Sequence, residues 1–193
     1  MELKKNSGVK DKIRDICFIS VFTAIIAASA QISVPMPAGV PFTMQTFAVL
    51  LAGVILGAKR GAAAAFIYIA LGAAGVPIFS SFRGGLGVIF GATGGFILSF
   101  PPMALCAGVF SGVSPGKLGL RKPFLTAFGL ILGAAVNYTC GLLMFCAVTS
   151  SGFGEAAALC VAPFILPDII KMVLAGGIGA SVKKILLKSK ILI

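Results

Sequence analysis

Ala162-Pro-Phe-Ile-Leu-Pro-Asp-Ile-Ile-Lys-Met-Val-Leu-Ala175 is apolar at nearly every position, yet it carries Asp168 and Lys171 three residues apart. Opposite charges at i and i+3 share one helix face. Ionisable groups inside so apolar a helix are costly, and at membrane depth they mark a functional site by default. A structural ion pair that fixes helix register is the competing reading, although a buried pair is often no more stable than an apolar replacement.

The rest of the chain has the same character. Hydrophobic residues make up 59% of the 193 positions and charged residues 11%, and the mean hydropathy is +1.10. Those values exceed what a water-soluble core requires and predict one integral membrane domain over residues 1–193. Apolar stretches long enough to cross the hydrocarbon at about 1.5 Å per residue are bounded by Pro, Gly and charge near 16–34, 44–58, 61–79, 86–111, 124–149 and 167–187. The expected fold class is therefore all-α, with six transmembrane helices behind a basic arm at 1–15. Strand alternation of a membrane β-barrel is absent from the sequence. Gly53 and Gly57, and the row Gly87, Gly91 and Gly95, recur at helical spacing and suit close backbone approach.

A net charge of +11 raises nucleic acid as a partner, but the basic residues occupy alternate connections. Lys4, Lys5, Lys10, Lys12 and Arg14 precede the first span, and Lys59 and Arg60 separate the second from the third. Lys117, Arg121 and Lys122 follow the fourth, and Lys183, Lys184, Lys188 and Lys190 close the chain, whereas the other connections hold only Arg83. The positive-inside rule then predicts both termini to be cytoplasmic, with attraction to anionic membrane lipid as a secondary effect and no nucleic acid partner. Ala28-Ser-Ala30 after a basic and apolar run imitates a secretory cleavage site. That run is longer than a usual signal core, so the first span is expected to be retained.

Metal, cofactor and hydrolytic chemistry find little support. Histidine is missing and the five cysteines form no CxxC pair, so a common zinc or haem site is not expected, and each Cys reads as a small packing residue. Beyond the amino-terminal arm the acidic residues are Glu155 and Asp168, which leaves little acid–base capacity for an enzyme. Gly116-Lys117 lacks the earlier Gly of a phosphate loop.

The informative polar groups gather at one depth. Pro167 suits a first helical turn, which would set Asp168 and Lys171 near the outer face. Gln31, Thr43, Gln45 and Arg83 fall near the same end, and Tyr68, Asn137 and Tyr138 near mid-span. Alternatives stay open for each: Thr43 and Gln45 as helix-start caps, Tyr68 and Tyr138 as core aromatics, Arg83 as a solvated charge. Asn137 interrupts the small-residue row Gly133, Asn137, Gly141, where an amide requires partners. The loop Ser80-Ser-Phe-Arg-Gly-Gly-Leu-Gly87 can present backbone N–H groups, move as a lid, or simply connect. Together these groups predict an outward pocket for a small polar solute bearing both donors and acceptors.

Several motifs in order resemble one family. The run Pro35-Met-Pro-Ala-Gly-Val-Pro-Phe-Thr-Met-Gln-Thr-Phe-Ala-Val-Leu-Leu-Ala-Gly53, then Gly57-Ala-Lys-Arg-Gly61, Tyr68, Leu71-Gly-Ala-Ala-Gly-Val-Pro-Ile-Phe79, Gly84-Gly-Leu-Gly87, Gly91-Ala-Thr-Gly-Gly95 and Pro167-Asp-Ile-Ile-Lys171 are similar to the biotin transporter BioY family. These are the substrate-binding S components of energy-coupling-factor (ECF) transporters. Ala58, Ala92 and Phe96 stand where the family commonly has Pro, Pro and Tyr.

The resemblance implies a non-enzymatic, multi-pass protein of the cytoplasmic membrane. It implies high-affinity biotin capture and energising partners, namely a transmembrane coupling protein with two cytoplasmic ABC-type ATPases. Biotin would be cargo, with no cofactor. Asp168 and Lys171 would meet the ureido head, Tyr68 and Tyr138 the bicycle, and Arg83, Gln45 or Ser81 the carboxylate, with Asn137 and Thr43 nearby. Ala24 and Ala28 would fall on the family's small-residue coupling motif; internal packing is their other reading. A structural membrane protein whose ion pair pins two helices is the rival from another class.

Overall fold

The computed structural model describes residues 2–36, 39–111 and 123–189, and the side chains among these from residue 9 onward. Among the described residues there are nine α-helices: α1 (Glu2–Gln31), α2 (Gln45–Leu56), α3 (Ala58–Ala73), α4 (Leu86–Ile89), α5 (Gly94–Leu98), α6 (Phe100–Phe110), α7 (Pro123–Thr149), α8 (Phe153–Cys160) and α9 (Ala162–Lys188). A 3-10 turn at Ser80–Phe82 and an antiparallel pair of two-residue strands, β1 (Ser33–Val34) and β2 (Phe42–Thr43), complete the list. Residues 9–31, α7 and α9 are each long and apolar enough to cross a membrane, and α2 and the α5–α6 run are shorter apolar helices. The chain is a multi-pass, all-α membrane protein.

Several boundaries differ from the sequence reading. The basic segment 1–15 is no separate arm, since α1 is helical from Glu2 onward. The stretch 86–111 is three helices. Pro101 and Pro102 lack the N–H that a helix interior requires, so α6 restarts at Phe100 with both prolines in its first turn. The expected glycine row breaks with it: a Cβ on Gly95 would strike the Cys140 carbonyl, whereas one on Gly87 would meet nothing. Finally, α9 begins at Ala162, with Pro163 in its first turn and Pro167 inside the helix. Asp168 and Lys171 consequently lie about 9 and 14 Å along the helix, deeper than a first turn. The eight-residue α8 was not anticipated at all.

Close contacts of small residues hold the bundle. A Cβ on Gly53 would collide with the Ala104 carbonyl and Ala107 Cβ, so α2 meets α6 backbone to side chain. Gly57 continues the approach to α6, since a Cβ on Gly108 would strike its carbonyl carbon; it is also the single residue joining α2 to α3, at φ 83°, a conformation favourable only to glycine. Gly133 and Gly141 of α7 face Met103 and the Phe96 ring. Of the cysteines, Cys160 is buried as a packing residue but Cys17 and Cys140 are exposed.

Basic residues collect at one end. Arg60 pairs with Asp15 at 2.9 Å, which joins the start of α3 to α1. Lys183 does not extend into solvent as a tail residue should: it is 3% exposed and donates to Val54 O and Ser111 O, both at 2.8 Å. These carbonyls belong to the last turn of α2 and the C-cap of α6, where the helix dipoles favour a cation. The basic end therefore has a polar anchor that hydropathy gave no reason to expect. Lys117, Arg121, Lys122 and Lys190 lie outside the described residues.

Replacing Gly53 with Leu should force α2 off α6, at roughly 1–3 kcal/mol for overpacking, and lower the thermal unfolding midpoint. Gly177→Ala, where a Cβ meets nothing within 4 Å, should leave the midpoint unchanged or slightly raised, because Gly inside a helix is less favourable than Ala. Thermal unfolding of the two variants in detergent checks the contrast.

Candidate functional site

At the end of the bundle opposite the basic residues, β2, α2, the 80–83 turn, α5, α7, α8 and α9 enclose a cavity. Its polar centre is the acid–base pair on α9. Lys171 Nζ lies 2.8 Å from Asp168 Oδ1, with side-chain exposures of 6% and 10%. Breaking such a buried pair by removing one partner costs about 3–5 kcal/mol, so its remaining valences must be met by the surroundings.

They are met by three other elements. Tyr138 of α7 donates to Asp168 Oδ2 at 2.5 Å. Thr46 of α2 donates to Asp168 Oδ1 at 3.4 Å and accepts from Lys171 Nζ at 3.2 Å. Lys171 also donates to the Thr43 carbonyl of β2 at 2.6 Å and stands 4.0 Å from the centroid of the Phe42 ring, a favourable cation–π placement. All three ammonium protons are thereby engaged. Of the roughly four lone-pair positions of a carboxylate, three are filled.

Beside the pair lies a second polar set. Thr43 Oγ1 donates to Gln45 Oε1 at 3.0 Å and accepts the Gln45 backbone N–H at 3.4 Å; the N-cap of α2 is Met44, without a side-chain cap bond, so neither Thr43 nor Gln45 is the cap. Gln45 Nε2 donates to Tyr68 Oη at 2.6 Å, and the Tyr68 hydroxyl donates to Ile78 O at 3.2 Å. Asn137, also in the cavity wall, donates to Phe96 O at 2.9 Å and Ser99 Oγ at 2.7 Å. Its amide thus ties α7 to α5 and leaves the carbonyl oxygen available.

The structure brings Thr43, Gln45, Arg83, Asn137, Tyr138, Asp168 and Lys171 to the cavity wall. Tyr68 does not reach it; this residue is fully buried behind Gln45 and orients that amide. Ser81 does not reach it either. At φ 60° and ψ 37° the backbone turns the Ser81 side chain to the exposed surface, and Ser80 faces the cavity instead.

Thr46, Ser80, Ser99 and Phe42 were missed by sequence reasoning. Thr46 had a usable signal, standing one helical turn after Thr43; Ser80 had none, because a left-handed serine cannot be read from Ser80-Ser-Phe82.

Ala24 and Ala28 are both exposed, on the opposite side of α1 from the buried Phe22, Thr23, Ile26 and Ala30. Internal packing is therefore not what they do in this chain. Among the described residues no cluster of metal-ligating side chains occurs.

Comparison with known proteins matches the same scaffold. The BioY family model covers residues 3–188. A probable biotin transporter BioY from Pyrococcus horikoshii is 38% identical over 83% of this chain and 90% of its own. The biotin transporter BioY of Rhodobacter capsulatus is 33% identical over 88% and 93%. A crystal structure of the S-component for biotin from an ECF-type ABC transporter superposes with a TM-score of 0.79 over 91% of this chain and 93% of that one, at 21% identity, and so shares the fold. Given a family match across nearly every described residue, the chain belongs to the BioY family.

Proposed function

We propose that this protein captures biotin from outside the cell as the S component of an ECF transporter in the cytoplasmic membrane. The observation that carries the reading is the closed Asp168–Lys171–Tyr138–Thr46 network in the cavity wall. Biotin's ureido ring presents two N–H donors and one carbonyl acceptor but no charge. A neutralised ion pair matches it without leaving an uncompensated charge buried.

Asp168 has one acceptor position to offer a ureido N–H, and Asn137 has a carbonyl oxygen nearby for the other. Lys171 would turn its longest bond, the 3.2 Å contact to Thr46, toward the ureido oxygen. Charge-assisted bonds in a dry site are the strong kind. The bicycle would pack on Phe96, Phe100 and Phe164, which line the cavity; Tyr138 lines the same wall and donates its hydroxyl to Asp168. The valerate carboxylate would extend toward Arg83, a cationic group that lines the same cavity.

The basic end of the bundle then faces the cytoplasm with both termini, by the positive-inside rule, and attracts anionic lipid there. A transmembrane coupling protein would dock on the exposed Ala24 and Ala28, where small side chains permit close helix approach. Two cytoplasmic ABC-type ATPases would supply the energy, since this chain has no phosphate loop of its own.

Purified protein titrated with biotin should saturate at or below micromolar ligand; no binding in that range would overturn the proposal. Asp168→Asn and Lys171→Met should each weaken binding roughly ten- to hundredfold, the worth of a charge-assisted hydrogen bond at about 1.5–3 kcal/mol, while the protein stays folded. Loss of the folded state in both variants would instead favour a purely structural pair.

Ala24→Leu or Ala28→Leu should leave biotin binding intact and reduce uptake in cells that contain the coupling protein. Unchanged uptake in both would remove α1 as the docking surface.

A further inference from the structure

Ser80 Oγ is buried in the cavity wall and, among the described residues, has no hydrogen-bond partner. The residue is 6% exposed. An unmade hydrogen bond at a buried hydroxyl costs about 1–3 kcal/mol, so a ligand atom is its natural complement. Arg83 lines the same wall, and its Nε donates to the Ser80 carbonyl at 3.2 Å. That bond holds the guanidinium over the serine and leaves the terminal N–H groups for another acceptor. A hydroxyl and a guanidinium side by side, in the wall of a cavity whose other charges form a neutralised ion pair, suit an anion.

Within the turn, the Phe79 N–H donates to Arg83 O at 2.9 Å and Arg83 Nε to Ser80 O, but the residues between them are strained. Ser81 and Phe82 adopt φ of 60° and 55°, left-handed values that are unfavourable for residues other than glycine, and Phe82 is 72% exposed. Tyr68 holds Ile78 O from α3, and the restraint that spans the strained residues comes from α1. Gln31 Nε2 lies 3.2 Å from both Ile78 O and Phe79 O, and Gln31 Oε1 accepts the Phe82 N–H at 3.0 Å. One amide thus grips the turn on both sides of Ser80, while the Phe79 ring fills the notch above Gly72.

We propose that Gln31 is a positioning residue for the anionic end of the ligand. By clamping residues 78–82 it aims Ser80 Oγ and Arg83 at the carboxylate, and Ser80 Oγ donates the hydrogen bond that the free site leaves unmade. The inference rests on the reading that biotin occupies this cavity. It adds that selectivity for the charged tail is set from α1, the helix that also exposes Ala24 and Ala28.

The test compares biotin with its neutral alcohol analogue, in which the carboxylate is reduced, on the purified full chain. Wild-type protein should bind biotin at least tenfold more tightly than the alcohol. Gln31→Leu should lose about tenfold for biotin and less than twofold for the alcohol, and Gln31→Glu, which keeps the acceptor for Phe82 N–H, should recover part of that loss. Ser80→Ala, which leaves the clamp intact, should lose several-fold for biotin alone.

Equal losses for the two ligands in Gln31→Leu, or unchanged biotin affinity in both Gln31→Leu and Ser80→Ala, would overturn the positioning role. So would a wild-type protein that binds the two ligands equally. Should Gln31→Leu fail to fold, the Ser80→Ala selectivity decides the matter alone. A wild-type protein that binds neither ligand would refute the biotin reading itself, an outcome distinct from loss of tail selectivity.

Discussion

The fold is organised around a charge that cannot stand alone. Asp168, nearly excluded from solvent, requires a cation and hydrogen-bond donors, and the structure draws them from different parts of the chain: Lys171 on α9, Tyr138 on α7 and Thr46 on α2. Lys171 in turn requires acceptors, which brings the Thr43 carbonyl and the Phe42 ring from β2. Helices in a bilayer gain little from hydrophobic association because lipid is as apolar as their own side chains. Polar satisfaction and close packing then decide which surfaces meet, and this one cluster specifies the mutual placement of three helices and a strand.

Glycine supplies the complementary half of that specification. Gly53 against Ala104, Gly95 against Cys140 and Gly141 against Phe96 bring backbones close enough for side-chain amides and hydroxyls to reach carbonyls on neighbouring helices. Asn137 illustrates the dependence. It reaches Phe96 O and Ser99 Oγ because Gly133 and Gly141, one turn away on either side, let α7 settle against α5 and α6. Packing and polar recognition are in this sense the same constraint expressed by different residues.

Much of this was legible in the sequence because hydropathy and charge are properties of residues, whatever their neighbours. The membrane class, the extents of α2 and α7 and the importance of Asp168 and Lys171 follow from composition and spacing. What was not legible depends on backbone geometry or on partners distant in sequence. Pro167 reads as a helix start, yet α9 begins five residues earlier, at Ala162, because Pro163 meets the same first-turn requirement. Ser81 reads as well as Ser80 until the turn assumes its left-handed path. Lys183 reads as a solvated tail charge, since nothing local to it reveals that two helix ends with unpaired carbonyls lie within reach.

Lys171 and Lys183 sit on one helix, and each fastens it to the chain that runs from β2 into α2: Lys171 at Thr43 and Thr46, Lys183 at Val54. Both contacts advance in the same direction along the two segments, so α9 and α2 lie parallel and are bolted near opposite ends by cations some 18 Å apart along α9. A beam held at two points can neither slide nor swivel against its neighbour without releasing a buried ammonium. Any rearrangement that empties the cavity must therefore carry α2 and α9 as one rigid strut, and the hinge work falls to segments outside it: the turn under Gln31, the broken α4–α6 run and the single-residue joint at Gly57.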